Sequence, residues 1–151
     1  MHEGLNSTLV MLGGKVREGI TLEKEYDKSL PRIPAYPAEL NQVWTNLIDN
    51  AVHAMHAKGG TLSISTRAEG DFALVTIKDT GPGISPDIQR RIFEPFFTTK
   101  PIGEGTGLGL DIVWRIVVNR HGGDITVKSE VGQGTAFEIR LPLTTAPIPS
   151  P

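Results

Sequence analysis

Asp79-Thr80-Gly81-Pro82-Gly83-Ile84 closes a run, residues 72–79, whose alternation predicts a β-strand. Strand side chains alternate with a period of two, so Ala73, Val75, Ile77 and Asp79 share one face. Three apolar residues followed in register by a carboxylate make an odd face for a core strand, because a buried carboxylate is costly unless hydrogen bonds reach it. In the turn behind it, Gly81 and Gly83 permit backbone angles and close approaches that a side chain would block. The stretch reads as one wall of a ligand pocket, with Asp79 accepting hydrogen bonds from an amine on the ligand. An ordinary Gly-Pro turn with a solvated aspartate is the competing reading, and the rest of the chain weighs against it.

Upstream, residues 38–55 form the longest predicted helix. Leu40, Val43, Leu47, Ala51 and Ala54 give it an apolar stripe at three- and four-residue steps. Beside the stripe run Gln42, Asn46 and Asn50, four residues apart, with His53 one turn on. Asparagine is a poor interior helix residue, so stacked amides call for an explanation. A partly solvated face is the plain one. The sharper one is a polar row facing a ligand, since an amide oxygen is a hard, neutral donor suited to Mg²⁺ bound together with phosphate oxygens.

Downstream, residues 94–106 lose all periodicity, mixing Phe96 and Phe97 with Thr98, Thr99, Lys100 and Pro101. A loop this long inside one domain is usually functional or mobile. Gly103-Glu104-Gly105-Thr106-Gly107-Leu108-Gly109-Leu110 then runs into a helix with Ile112, Val113, Ile116 and Val117 as its buried stripe, ending at His121-Gly122-Gly123. Glycines before a helix N-terminus leave backbone N–H groups free to point at an anion, and the helix dipole adds to the attraction. That is phosphate-binding chemistry.

The remaining elements complete a single domain. An amphipathic helix is expected over residues 2–16, an edge strand over 20–26 and a proline-broken connector over 30–37. Residues 61–67 form the hairpin partner of 72–79 through a turn at Glu69-Gly70, and Ser85-Pro86-Asp87 starts a short helix packed by Ile88 and Ile92. Two strands close the chain. Residues 124–129 alternate through Ile125 and Val127, and Thr135, Phe137, Ile139 and Leu141 share a face after the Gly132-Gln133-Gly134 turn. Thr135 therefore points inward at one strand's start as Asp79 does at another's end. Residues 144–151, with three prolines, read as a disordered tail.

At 151 residues the chain is long enough for one domain with a real core. A net charge of −2 gives no electrostatic case for nucleic acid or an anionic membrane. The absence of cysteine excludes disulfides, thiolate zinc sites and cysteine catalysis. No apolar run approaches the roughly 20 residues of a membrane span and no signal-peptide pattern opens the chain, so a cytoplasmic location without direct membrane contact is expected.

Together these pieces resemble the ATP-binding catalytic domain of bacterial two-component sensor histidine kinases, in the GHKL superfamily. Asn46-Leu47-Ile48-Asp49-Asn50-Ala51 looks like the N box, Asp79 to Ile84 like the first glycine box and Phe93-Glu94-Pro95-Phe96-Phe97 like the F box. Gly105-Thr106-Gly107-Leu108-Gly109-Leu110 and Gly132-Gln133-Gly134-Thr135 look like the second and third glycine boxes. Five motifs in the family's order are far more specific than any one. The resemblance implies an α+β fold, a two-layer α/β sandwich of Bergerat type with a mixed, mainly antiparallel sheet covered by helices on one face. It implies an ATP-binding domain over residues 1–143 with a lid at 94–106, ordered by nucleotide.

The family's roles carry over by position. Asp79 accepts from the adenine amine, with Thr135 ordering the base or a bridging water beside Gly81, Gly83 and Ile84. Asn50 coordinates Mg²⁺, and Asn46 lies near the phosphates or metal water. Thr98 and Thr99 lead to Lys100, the cation for the terminal phosphate, and the backbone of Gly105, Thr106, Gly107, Leu108 and Gly109 cradles the phosphates. His53 stands where many relatives have lysine or arginine, and a neutral imidazole supplies less charge.

The implied activity is that of a protein histidine kinase, passing the γ-phosphate of ATP to a histidine on a separate dimerisation domain, with a response regulator downstream. His2-Glu3 does not fit as the phosphoacceptor, because a helix, a strand and a proline connector must fill the chain between His2 and Asn50. The chain is thus expected to be an ATP-binding module that does not phosphorylate itself at His2. The alternatives are a serine kinase or hydrolytic ATPase of the same superfamily, and a degenerate interaction module. Asn46 stands where the hydrolytic members place a water-activating glutamate, and an intact Asp79, Asn50 and glycine set argues against degeneracy.

Overall fold

The structure is a computed structural model and describes residues 4–6, 19–28, 30, 35–55, 59–89, 91–92 and 109–143. In chain order the elements are β1 (Ile20–Glu25), α1 (Pro37–Ala54), β2 (Gly60–Glu69), β3 (Phe72–Asp79), α2 (Pro86–Gln89), α3 (Gly109–Trp114), β4 (Asp124–Glu130) and β5 (Gly134–Pro142). α3 continues as a π-helical stretch, Arg115–Arg120, and residues 4–6 are also helical. The rest of the expected helix over 2–16, the lid and the tail lie outside the described residues.

Among the described residues the strands form one five-stranded sheet in the order β1-β2-β3-β5-β4. β1 pairs parallel with β2, and every other pairing is antiparallel. The parallel pair follows from the crossover through α1, since a strand-helix-strand connection returns the chain in its original direction. The sheet is mixed and mainly antiparallel, and β1 lies at its edge as expected.

Alternation sorts the two sheet faces. Leu62 and Ile64, then Ala73, Val75 and Ile77, then Phe137, Ile139 and Leu141 are buried beneath the helices. Leu74, on the opposite face, is also buried, and its cross-strand neighbours are Arg67 and Arg140. Glu69 holds both arginines, at 3.3 Å and 2.9 Å, so charged side chains flank Leu74 on that face. The hairpin turn falls at Gly70-Asp71 rather than Glu69-Gly70, because β2 runs on to place Glu69 opposite Phe72.

α1 begins with Pro37 in its first turn, where the missing N–H costs nothing, and Glu39 there suits the helix dipole. It buries more than the single expected stripe. Leu40, Val43, Leu47 and Ala51 are inside, and so are Trp44, Ile48, Val52 and Met55, whereas Ala54 is exposed. The helix is wedged between the sheet, α3 and the helical residues at 4–6, so two adjoining rows face inward. No helix among the described residues is long and apolar enough to cross a membrane.

The ends of α1 and α3 are tied together. Arg120 Nε donates to both Glu39 oxygens at 3.1 Å, and its guanidinium lies 4.3 Å from the Tyr36 ring centroid. His121 is buried and accepts the Tyr36 N–H on Nε2 at 3.0 Å. Its Nδ1 must then carry the hydrogen that reaches the Ile116 carbonyl at 2.8 Å, which fixes one neutral tautomer.

Candidate functional site

β2, β3, β5 and β4 bring Leu62, Asp79, Thr135 and Ser129 into one cross-strand row at the end of the core face. Asp79 and Thr135, each inward by parity, are direct partners in the register, and each is only 5% exposed. The Asp79 carboxylate takes the N–H of Gly81 at 2.8 Å through Oδ1. Burial pushes its carboxyl above the ordinary range, and the backbone of Gly81 and of Thr135 pulls the other way. A carboxylate offers about four lone-pair positions, so the backbone donors of Gly81 and Thr135 still leave capacity for a ligand's donors.

Two glycines let the loops close on this row. Gly134 has φ +128°, and a Cβ there would collide with the backbone carbonyl of Asp79. Gly83 has φ +79°, and a Cβ there would strike the carbonyl of Glu130. Neither conformation suits a residue with a side chain. The loop after β3 and the β4–β5 turn are joined further by Gly132 N–H to the Pro82 carbonyl at 2.7 Å.

Ser129, absent from the expected site, fastens the same corner. Its Oγ accepts the Ile84 N–H at 2.7 Å, donates to the Gly134 carbonyl at 2.9 Å and lies 2.9 Å from Thr135 Oγ1. Gln89 of α2 adds Nε2 contacts to the carbonyls of Ile84 at 2.7 Å and Ser129 at 3.1 Å. The parity of Ile125 and Val127 already put Ser129 on the inward face; its small polar side chain at a strand end disguised it as solvated.

α1 supplies the neighbouring wall. Asn46 and Asn50 are half-buried one turn apart, and both are engaged in interactions within the protein. Gln42 and His53, at either end of the polar row, are exposed. α1 is held to the Asp79 strand by Thr80, whose Oγ1 accepts the Thr61 N–H at 2.9 Å and lies 3.8 Å from Met55 Sδ. Of the other expected residues, Gly81, Gly83 and Ile84 fall in the corner just described, and Gly109 opens α3. Thr98, Thr99, Lys100, Gly105, Thr106, Gly107 and Leu108 lie outside the described residues.

Among the described residues no cluster of three or more His, Cys, Asp or Glu is placed to hold a metal. The donor chemistry near the site is instead that of the Asn46 and Asn50 amides. Such a set fits Mg²⁺ arriving on phosphate oxygens and keeping waters, not a metal held by protein alone.

Residues 35–145 match the family described as histidine kinase-, DNA gyrase B- and HSP90-like ATPase. The chain is 44% identical over 136 residues to the sensor histidine kinase ZraS of Salmonella typhimurium, an alignment covering 89% of this chain and 28% of that protein. It therefore spans little more than a quarter of that relative's length. The catalytic domain of histidine kinase ThkA, in a nucleotide-free form, superposes with a TM-score of 0.85 at 32% identity, covering 95% of this chain and 93% of that one. ThkA in complex with the response regulator TrrA gives 0.79 at 29% identity, covering 95% of this chain and 40% of that one. Full-length ShkA in complex with AMPPNP gives 0.79 at 35% identity, covering 95% and 30%. With the N-box amides on α1 and the buried Asp79–Thr135 pair in the sheet, the chain belongs to the histidine kinase-, DNA gyrase B- and HSP90-like ATPase family, as an ATP-binding catalytic domain of the sensor histidine kinase type.

Proposed function

We propose that this chain binds Mg-ATP against the Asp79–Thr135 row and presents the γ-phosphate to a histidine on a separate dimerisation domain, in cis or in trans. The observation that carries this reading is the buried carboxylate of Asp79 in register with Thr135, which keeps acceptor positions beyond the backbone N–H groups it already takes. In this role Asp79 accepts from the adenine amine, and the Gly81 N–H holds its carboxylate in place. Asn50 holds Mg²⁺ and Asn46 sits by the phosphates or metal water; when bound, the ion neutralises phosphate charge. Lys100, with Thr98 and Thr99 before it, meets the terminal phosphate, and the backbone from Gly105 through Thr106, Gly107 and Leu108 to Gly109 cradles the rest. His53 borders the phosphates where many relatives have lysine or arginine, and its neutral imidazole supplies less charge.

Phosphoryl transfer asks for positioning and charge stabilisation more than for covalent help from the protein. An imidazole nitrogen of the partner domain forms the new N–P bond as the bridging P–O bond breaks, ADP leaves with the electron pair and the imidazole proton passes to solvent. Residues 1–143 act as one unit with 94–106 as its lid, in the cytoplasm where ATP is held. A response regulator then takes the phosphoryl group from the histidine; the complex of ThkA with TrrA supports that assignment.

Titrating ATP into the chain with and without Mg²⁺ tests the metal side of this reading. Mg²⁺ is expected to tighten ATP binding to the wild type, and Asn50→Ala to erase most of that gain while Mg²⁺-free binding stays nearly unchanged. An equal Mg²⁺ effect in both proteins removes Asn50 from the metal's coordination.

A further inference from the structure

The hydroxyl of Ser129 meets three partners at once: the Gly134 carbonyl, the Ile84 N–H and Thr135 Oγ1. A serine hydroxyl has one hydrogen and two lone pairs. A carbonyl only accepts, so satisfying all three contacts sends the Ser129 hydrogen to Gly134. The Ile84 N–H fills one lone pair. The other faces Thr135, which must supply its own hydrogen across the 2.9 Å gap.

Thr135 is thereby committed as a donor within the protein, and only lone pairs of its Oγ1 remain for a ligand. Its register partner is the Asp79 carboxylate, on the same sheet face. The wall therefore shows two acceptors side by side. Such a pair is matched by a group with two hydrogens, the exocyclic amine of a 6-aminopurine or a water held beneath it. At that position the carbonyl oxygen of a 6-oxopurine would set three acceptors against one another, its nearest hydrogen lying on the adjacent N1.

We infer that Ser129 is a specificity-determining positioning residue, which fixes the direction of the Thr135 hydroxyl and so makes the site select a 6-amino over a 6-oxo purine nucleotide. This rests on the reading of Asp79 as the base contact. Without the Ser129 hydroxyl, Thr135 is free to turn its hydrogen into the pocket and donate to a carbonyl oxygen. Loss of a mere loop clip would weaken both nucleotides alike.

The experiment is displacement of a fluorescent ATP analogue from the whole chain by ATP and by ITP, which differ at the purine 6-position and in the hydrogen on N1. The wild type is expected to prefer ATP by about a hundredfold, roughly tenfold for each of the two acceptors that loses its donor. Ser129→Ala is expected to narrow that ratio roughly tenfold, the worth of one hydrogen bond of this kind. Thr135→Val, close in shape, removes the same acceptor and narrows the ratio similarly, and adding Ser129→Ala to it changes the ratio no further. A Ser129→Ala protein that weakens both nucleotides equally overturns the inference while leaving the ATP site standing. If Ser129→Ala does not fold, an unchanged ratio in Thr135→Val overturns it instead. A wild type that binds neither the analogue nor ATP removes the site reading and the inference with it.

Discussion

Asp79 shows how a single residue reports on its surroundings. Its carboxyl is held above the ordinary carboxylate range because it is buried, against the opposing pull of the Gly81 and Thr135 backbone. The folded protein therefore keeps this proton to higher pH than the unfolded chain does. The stability that the protonated form contributes is complete below the unfolded value and is lost as pH rises through the folded one. An amine donor favours the ionised form, so ATP binding is expected to weaken as pH falls through the folded value, with proton release on binding in that window. Isothermal titration across pH checks this, and Asp79→Asn should flatten the dependence. The residue was legible in the sequence because parity joined it to Ala73, Val75 and Ile77. Ser129 obeys the same rule one strand away, yet a serine at a strand end looks solvated until its three partners are seen.

Among the elements, the close approach of the β4–β5 turn to the end of β3 is the demanding contact. Gly134→Ala would place a Cβ against the Asp79 carbonyl at a φ of +128°, where L residues are rarely found. It is expected to cost roughly 1–3 kcal/mol in urea unfolding and to weaken ATP binding as the Asp79–Thr135 register shifts. At the other end of the helical layer, His121→Leu leaves the Tyr36 N–H and the Ile116 carbonyl without their ring partner. A loss of about 2 kcal/mol in the same assay is expected, because the groups left behind are shielded from water.

Strands were the most legible elements, since alternation fixed which side of β3 and β5 faces the helices. The second buried row of α1 was not legible. Trp44, Ile48 and Val52 are buried by neighbours on two sides, a tertiary fact that one helix's periodicity does not carry. Nor was the π-helical stretch Arg115–Arg120. Over six residues the extra residue per turn leaves the Ile116–Val117 pair on the same inward side as an α-helix would.

For the whole molecule, the two layers meet at the proposed site. α1 carries the amides, the sheet carries the Asp79–Thr135 pair, and Thr80 joins them through Thr61 and Met55. Ligand bound across that junction stabilises the folded state by mass action, by about 2.7 kcal/mol at a hundred times Kd. For a domain of this size that is roughly a 5–11 °C rise in Tm, readable in a thermal melt with Mg-ATP. The chain's likeness to histidine kinase catalytic domains was legible through its ordered motifs. The parallel pairing of β1 with β2 was less so, because α1 and the proline-rich connector separate the two strands in sequence.

The most direct test of the central claim is calorimetric titration of Mg-ATP into the wild-type chain and into Asp79→Asn. The account predicts saturable one-site binding by the wild type, weakened roughly 10- to 100-fold or more by a substitution that removes one charged hydrogen-bond acceptor. Wild-type binding that Asp79→Asn leaves unchanged, or no binding at all, would contradict it.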